Sequence, residues 1–223
     1  MRKMFWWIFR LGYLIFTASG FYGWSSRVLQ RWLDIPKYGQ QWKYIGRPQP
    51  RFSRVESAFA VSKFTYKSDA LGGKLDRFRH PSVSQSKLLS VFKKEEFGQV
   101  TAADLNKLLD IDRLTVKGPN DCDDSAIFAA SLLDWPYRPQ ILTVFWQRKK
   151  KWWKSGGHNV CVYWENGKIA GHMGNWGDLR IATIGREPTM DDVANDVISK
   201  LPYDAILVGH KAWYPKQVCY KWD

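Results

Sequence analysis

Past residue 100 the apolar positions of the chain fall into a readable order. Thr101-Ala102-Ala103-Asp104 sets a hydroxyl and a carboxylate three residues apart, ahead of Leu105, Leu108 and Leu109. That is a capping box followed by a helical stripe, and it predicts a helix over 102–110. Asp123–Leu133 (DDSAIFAASLL) is small and apolar nearly all round, the pattern of a buried helix, and Asp134-Trp135-Pro136 ends it. Ile141–Gln147 (ILTVFWQ) is β-branched and aromatic, hence a strand. Asn159–Glu165 and Lys168–Met173 read as two further strands, joined by the hairpin signal Asn166-Gly167. Thr189–Asp192 caps a helix whose Val193, Val197 and Leu201 share a face and which Pro202 stops. Ala205–Val208 is a last short strand. Helices come first and an antiparallel sheet follows, so the predicted class is α+β.

The first 60 residues read differently. Residues 4–24 (MFWWIFRLGYLIFTASGFYGW) are apolar and aromatic, broken by Arg10. The run after Arg10 is short for a membrane span. Two readings stay open. The segment is an aromatic helix that packs on the domain or lies at a membrane surface. Alternatively residues 1–20 are a signal, with Ala18-Ser19-Gly20 as a small-residue cleavage site. Residues 25–60 are basic, with prolines at 36, 48 and 50, and read as a linker or arm. The main domain is then 61–223. Localisation follows the fate of the first segment: cytoplasmic or membrane-associated, or secreted if residues 1–20 are a signal.

Composition narrows the function classes. Aromatic residues make up 16% of the chain, including 13 Trp, which excludes a disordered protein. The formal net charge of +13 predicts an anionic partner: nucleic acid, lipid or an acidic polymer. Arg148, Lys149, Lys150, Lys151 and Lys154, interleaved with Trp146, Trp152 and Trp153, suit stacking and phosphate pairing, and equally a lipid surface. The three cysteines, 122, 161 and 219, are too sparse and odd in number for a disulfide framework.

Candidate chemistry lies where the buried helix begins. Cys122 stands in Asn120-Asp121-Cys122-Asp123-Asp124 at its first turn. A helix amino end carries a partial positive charge and unpaired amides, which favour a thiolate. A thiolate nucleophile needs a base, and the base an orienting group. His158 opens a strand just after Gly156-Gly157. With a two-residue turn at Asn166-Gly167, strict pairing sets Asn175 opposite His158, where its amide can fix the imidazole tautomer. The same register sets His172 opposite Cys161, on the wrong face to serve His158, unless a bulge at Gly171 or Gly174 intervenes. His80 and His210 read as surface residues, Cys161 and Cys219 as core. No metal site is expected, because Cys122 has no second Cys or His at ligand spacing.

NDCDDSAIFAASLL resembles the GDCDD-plus-helix motif of transglutaminase-like cysteine peptidases of the papain-like superfamily. GGHNVCVYWENGKIAGHMGNWG is similar to the strand pair that carries the His and the acid or amide of that family. The upstream FTYKSDALGGKLDRFRHP is like the text that precedes the Cys in bacterial and phage members. The resemblance covers roughly Phe64–Gly177. It departs at Asn120, where the family has Gly, and at Asn175, where Asp is commoner. It implies a central helix carrying Cys122, packed on an antiparallel sheet. It also implies a Cys122-His158-Asn175 triad, with His172 as the alternative third member. The implied reaction is hydrolysis or acyl transfer at a peptide or isopeptide bond through a thioester, with no cofactor. The implied substrate is a peptide or protein, acidic or wall-derived. The alternative function is an inactive binding or assembly protein on the same scaffold.

Overall fold

A computed structural model describes residues 52–68, 81–95, 100–116, 120–133, 135–150, 154–182 and 185–213. The helices are α1 (Arg54–Ser62), α2 (Pro81–Phe92), α3 (Ala102–Leu109), α4 (Cys122–Leu132) and α5 (Met190–Ser199). The strands are β1 (Gln140–Arg148), β2 (Ser155–Glu165), β3 (Lys168–Gly174), β4 (Gly177–Arg180) and β5 (Ala205–Trp213). They form one antiparallel sheet in the order β4-β3-β2-β1-β5. The α+β class is as expected from the element order.

The pleat of β2 divides the interior into two cores. Cys161 and Tyr163 face one side, with Ile141, Met173 and the apolar residues of α1, α2 and α4. Val160 and Val162 face the other, with Leu142, Val144 and Val193, Ala194 and Val197 of α5. Alternate residues of a strand point to opposite faces, so a sheet covered on both sides is apolar throughout. Each such Val, Leu or Phe contributes about 1.5–3 kcal/mol by leaving water. Helix α4 is buried along its length after Cys122 because it lies between the sheet and α1 and α2. That is why it shows no amphipathic stripe.

Capping boxes open α1 (Ser53 with Glu56), α3 (Thr101 with Asp104) and α5 (Thr189 with Asp192). The first corrects a boundary. Residues through 60 read as a linker, yet Phe52, Ala58, Ala60 and Val61 are core residues and α1 is packed against α4. Other edges move less. Strand β2 starts at Ser155, taking in Gly156-Gly157, and β5 runs on to Trp213. Helix α5 ends at Ser199, leaving Leu201 outside it.

The β2–β3 turn is as expected: Asn166 (φ 53°) and Gly167 (φ 78°) both take the left-handed conformation of a two-residue hairpin. The register changes just beyond it. Trp164 pairs with Ile169 but Tyr163 with Gly171, so Ala170 is an extra residue on β3. A β-carbon at Gly171 would collide with the Leu179 carbonyl and the Tyr163 hydroxyl, so the closely pressed bulge requires glycine. Residues 1–51, His80, Lys151, Trp152, Trp153 and Cys219, together with the roles expected of them, lie outside the described residues. Among the described residues no helix is long and apolar enough to cross a membrane.

Candidate active site

Cys122 is the first residue of α4, and Asp121 is its N-cap, accepting from the Asp123 amide at 3.2 Å. The thiol donates towards Asp123 Oδ1 at 3.7 Å. Asp123 and Asp124 are each 3% exposed, as acids in a first turn at the positive end of the helix dipole. The segment before the cysteine is fixed by Lys67 and Asn120, which exchange two backbone hydrogen bonds. The Asn120 side chain donates to the Thr65 carbonyl at 3.1 Å. The Asn120 side chain therefore adds a stitch that holds the helix start in place.

The position of α4 along β2 follows from its far end. Tyr137, just past the helix, packs edge-to-face on Tyr163, with ring centroids 6.5 Å apart. Leu133 bridges Phe52, next to Arg54, whose guanidinium lies over the same Tyr163 ring. The carboxyl end of α4 thus sits at the Tyr163 level. The Cys122 end of α4 is the other end of the helix, eleven residues or about 16 Å away.

Around His158 the register of β2 and β3 differs from strict pairing. The extra residue at Ala170 sets His172 opposite Val162 rather than Cys161, and Gly174 at the level of Val160. Asn175 and Trp176 form the turn between β3 and β4, closed by the Gly174–Gly177 pair, with Gly177 at φ 86°. Asn175 is therefore not directly opposite His158. Trp176 takes that place: its ring stacks on the imidazole with centroids 4.0 Å apart and planes 17° apart. His158 is 8% exposed. The Asn175 Oδ1 beside this stack is buried and has no hydrogen-bond partner among the described residues.

The pleat also assigns faces. His158 pairs with Val144 and shares the side of Val160 and Val162, the α5 face. Asn159 shares the side of Cys161, the α4 face, and accepts from the Thr143 hydroxyl at 2.5 Å. The structure thus brings His158, Trp176 and Asn175 together, while the polar pair on the face that carries Cys122 is Thr143 and Asn159. Sequence reasoning passed over both. The signal available was alternation, since each stands two residues from an apolar residue of the same face, Ile141 and Cys161.

His172 has a different task. Its Nε2 meets Asp196 Oδ2 of α5 at 2.9 Å, and it is 1% exposed. Burial pushes its pKa down, and the Asp196 hydrogen bond opposes this in part. It shares the face of His158, contrary to the parity expected, but the level of its partner Val162 is four residues away, about 13 Å. Distance, not parity, separates it from the candidate triad. His210 meets exposed Asp191 at 2.7 Å, as a surface histidine. Cys161 is buried, and burial pushes its thiol pKa up, so it is inert.

The donor atoms of Asp121, Cys122 and Asp123 lie within 4.8 Å of one another, the one such group among the described residues. They are consecutive and mix a soft thiolate with hard carboxylates, without an imidazole, an ill-matched set for zinc. Fold and site together define an α+β protein in which a buried, cysteine-headed helix packs on a five-stranded antiparallel sheet. Comparison of the chain with protein-family models, with curated proteins and with solved structures finds no match.

Proposed function

We propose that the protein is a thiol-dependent hydrolase or acyltransferase of amide bonds, with Cys122 as nucleophile, His158 as base and Asn175 as the group that orients it. The observations that support this most are Cys122 at the amino end of α4, the His158 ring stacked under Trp176, and the buried Asn175 oxygen, which has no hydrogen-bond partner among the described residues. In the reaction the thiolate attacks the carbonyl carbon, and the Cys122 amide at the helix start helps hold the oxyanion. The tetrahedral adduct collapses to a thioester as His158 gives a proton to the leaving amine. Water, or a second amine, then takes the acyl group and frees the thiol. The substrate class is a peptide or isopeptide, and the positive charge of the chain favours an acidic or wall-derived one.

The pleat makes one demand on this reading. His158 leaves β2 on the α5 side, and Cys122 approaches from the α4 side. Strand β3 ends at Gly174, so past Val160 this flank of β2 lies beside the Asn175-Trp176 turn. The imidazole must meet the thiol around that flank. The same assignment of faces favours a second reading, a binding or assembly protein on this scaffold without chemistry. Iodoacetamide alkylation of Cys122 across pH separates the two. The enzyme reading expects an apparent pKa well below the free-thiol value of about 8.5, restored to that value in His158→Ala and partly in Asn175→Ala. A wild-type profile identical to that of His158→Ala would sink the base assignment and leave the binding reading.

A further inference from the structure

Where β1 and β2 leave the sheet, three side chains from two separate segments stack. The Arg148 guanidinium lies over the Tyr203 ring, 4.1 Å from its centroid. Tyr203, between α5 and β5, packs against Trp146 with centroids 4.7 Å apart. Trp146 lies flat on Gly156, where a β-carbon would run into the indole. The stack is therefore seated on the sheet. Its cation also differs from three other arginines of the fold. Arg54, Arg180 and Arg186 each hold a carboxylate. Arg148 Nε is buried and has no hydrogen-bond partner among the described residues. The nearby carboxylate of Asp204 is engaged by Lys149 at 3.0 Å. Lys150 and Lys154 are exposed alongside.

We propose that Arg148, held on Tyr203 and Trp146, is a phosphodiester-binding site for single-stranded nucleic acid. A guanidinium fixed in a plane offers a fork of donors matched to two phosphate oxygens. The surrounding lysines supply the sequence-independent attraction, and the Tyr203 ring under the guanidinium holds the fork in place. A lipid surface fits less well. Aromatics that anchor in a bilayer must insert, and both of these rings are packed against the protein. This site stands apart from Cys122 and does not depend on the thiol reading.

The test is fluorescence anisotropy of a labelled sixteen-residue oligo-dT with the full chain, over a series of salt concentrations. Wild type is expected to bind, with a salt slope that falls by about 0.7 when one phosphate contact is lost. Arg148→Ala should weaken binding about tenfold. Arg148→Lys, which keeps the charge, should stay close to the alanine variant because it loses the fork and the stack. Tyr203→Leu should weaken binding with the slope unchanged. Circular dichroism confirms that each variant is folded. The proposal is overturned if Arg148→Lys binds as wild type, if folded wild type does not bind the oligonucleotide, or if vesicles containing phosphatidylglycerol outcompete it.

Discussion

Replacing His172 with alanine separates a structural histidine from a catalytic one. In the folded chain its imidazole is 1% exposed and shares a 2.9 Å hydrogen bond with Asp196. A hydrogen bond to a charged partner is worth about 1.5–3 kcal/mol. Adding the lost packing of the ring brings the expected loss to about 3 kcal/mol. In a domain of this size that lowers Tm by roughly 6–12 °C. The pH dependence is the sharper part. Burial holds the pKa of His172 below the ordinary value of about 6.5. The unfolded chain therefore takes up the proton first, and the contribution of the folded imidazole is present above about pH 6.5 and lost as pH falls. His172→Ala has no such group. The stability gap between wild type and variant should narrow by as much as about 1.4 kcal/mol from pH 7.5 to 5.5. Urea unfolding at the two pH values measures it, and alkylation of Cys122 at pH 7.5 should be unchanged. A gap that stays constant or widens on acidification would refute the buried neutral imidazole. Loss of Cys122 reactivity would return His172 to the candidate triad.

Three further outcomes follow from the geometry. Gly171→Ala forces a β-carbon to within 2.5 Å of the Tyr163 hydroxyl and closer still to the Leu179 carbonyl; the variant should lose about 2 kcal/mol or more in a thermal melt, and a neutral result would mean the bulge is not where we place it. Burial alone would raise the Asp104 carboxyl, but hydrogen bonds from Lys94 and Thr101 outweigh it and hold the pKa at about 2. The contribution of Asp104 is present above about pH 4 and lost as pH falls to 2, so Asp104→Asn should cost about 2 kcal/mol at neutral pH and little near pH 2 in denaturant titrations. Cys161, with its thiol pushed up by burial, should resist iodoacetamide at pH 8 until urea unfolds the chain; mass spectrometry that finds it labelled in native buffer would contradict its place in the core.

What the sequence alone determined is what short-range physics controls. The capping boxes at Thr101 and Thr189, the turn at Asn166-Gly167 and the unstriped helix after Cys122 are local choices. Each is written in a few neighbouring residues, and each is found in place. What tertiary structure decided is register, face and boundary. One extra residue at Ala170 moves every later pairing of β3 by one, and Trp176, not Asn175, then meets His158. The bulge depends on the fit of Gly171 under Tyr163 and against β4, partners that no local window contains. Helix α1 reads as linker because its few small apolar residues acquire a burial partner only when α4 is in place. Arg148 joins Tyr203 because β5 returns beside β1, more than fifty residues later in the chain. Secondary structure follows from neighbours along the chain, while the candidate sites depend on which faces meet once two cores close over one sheet.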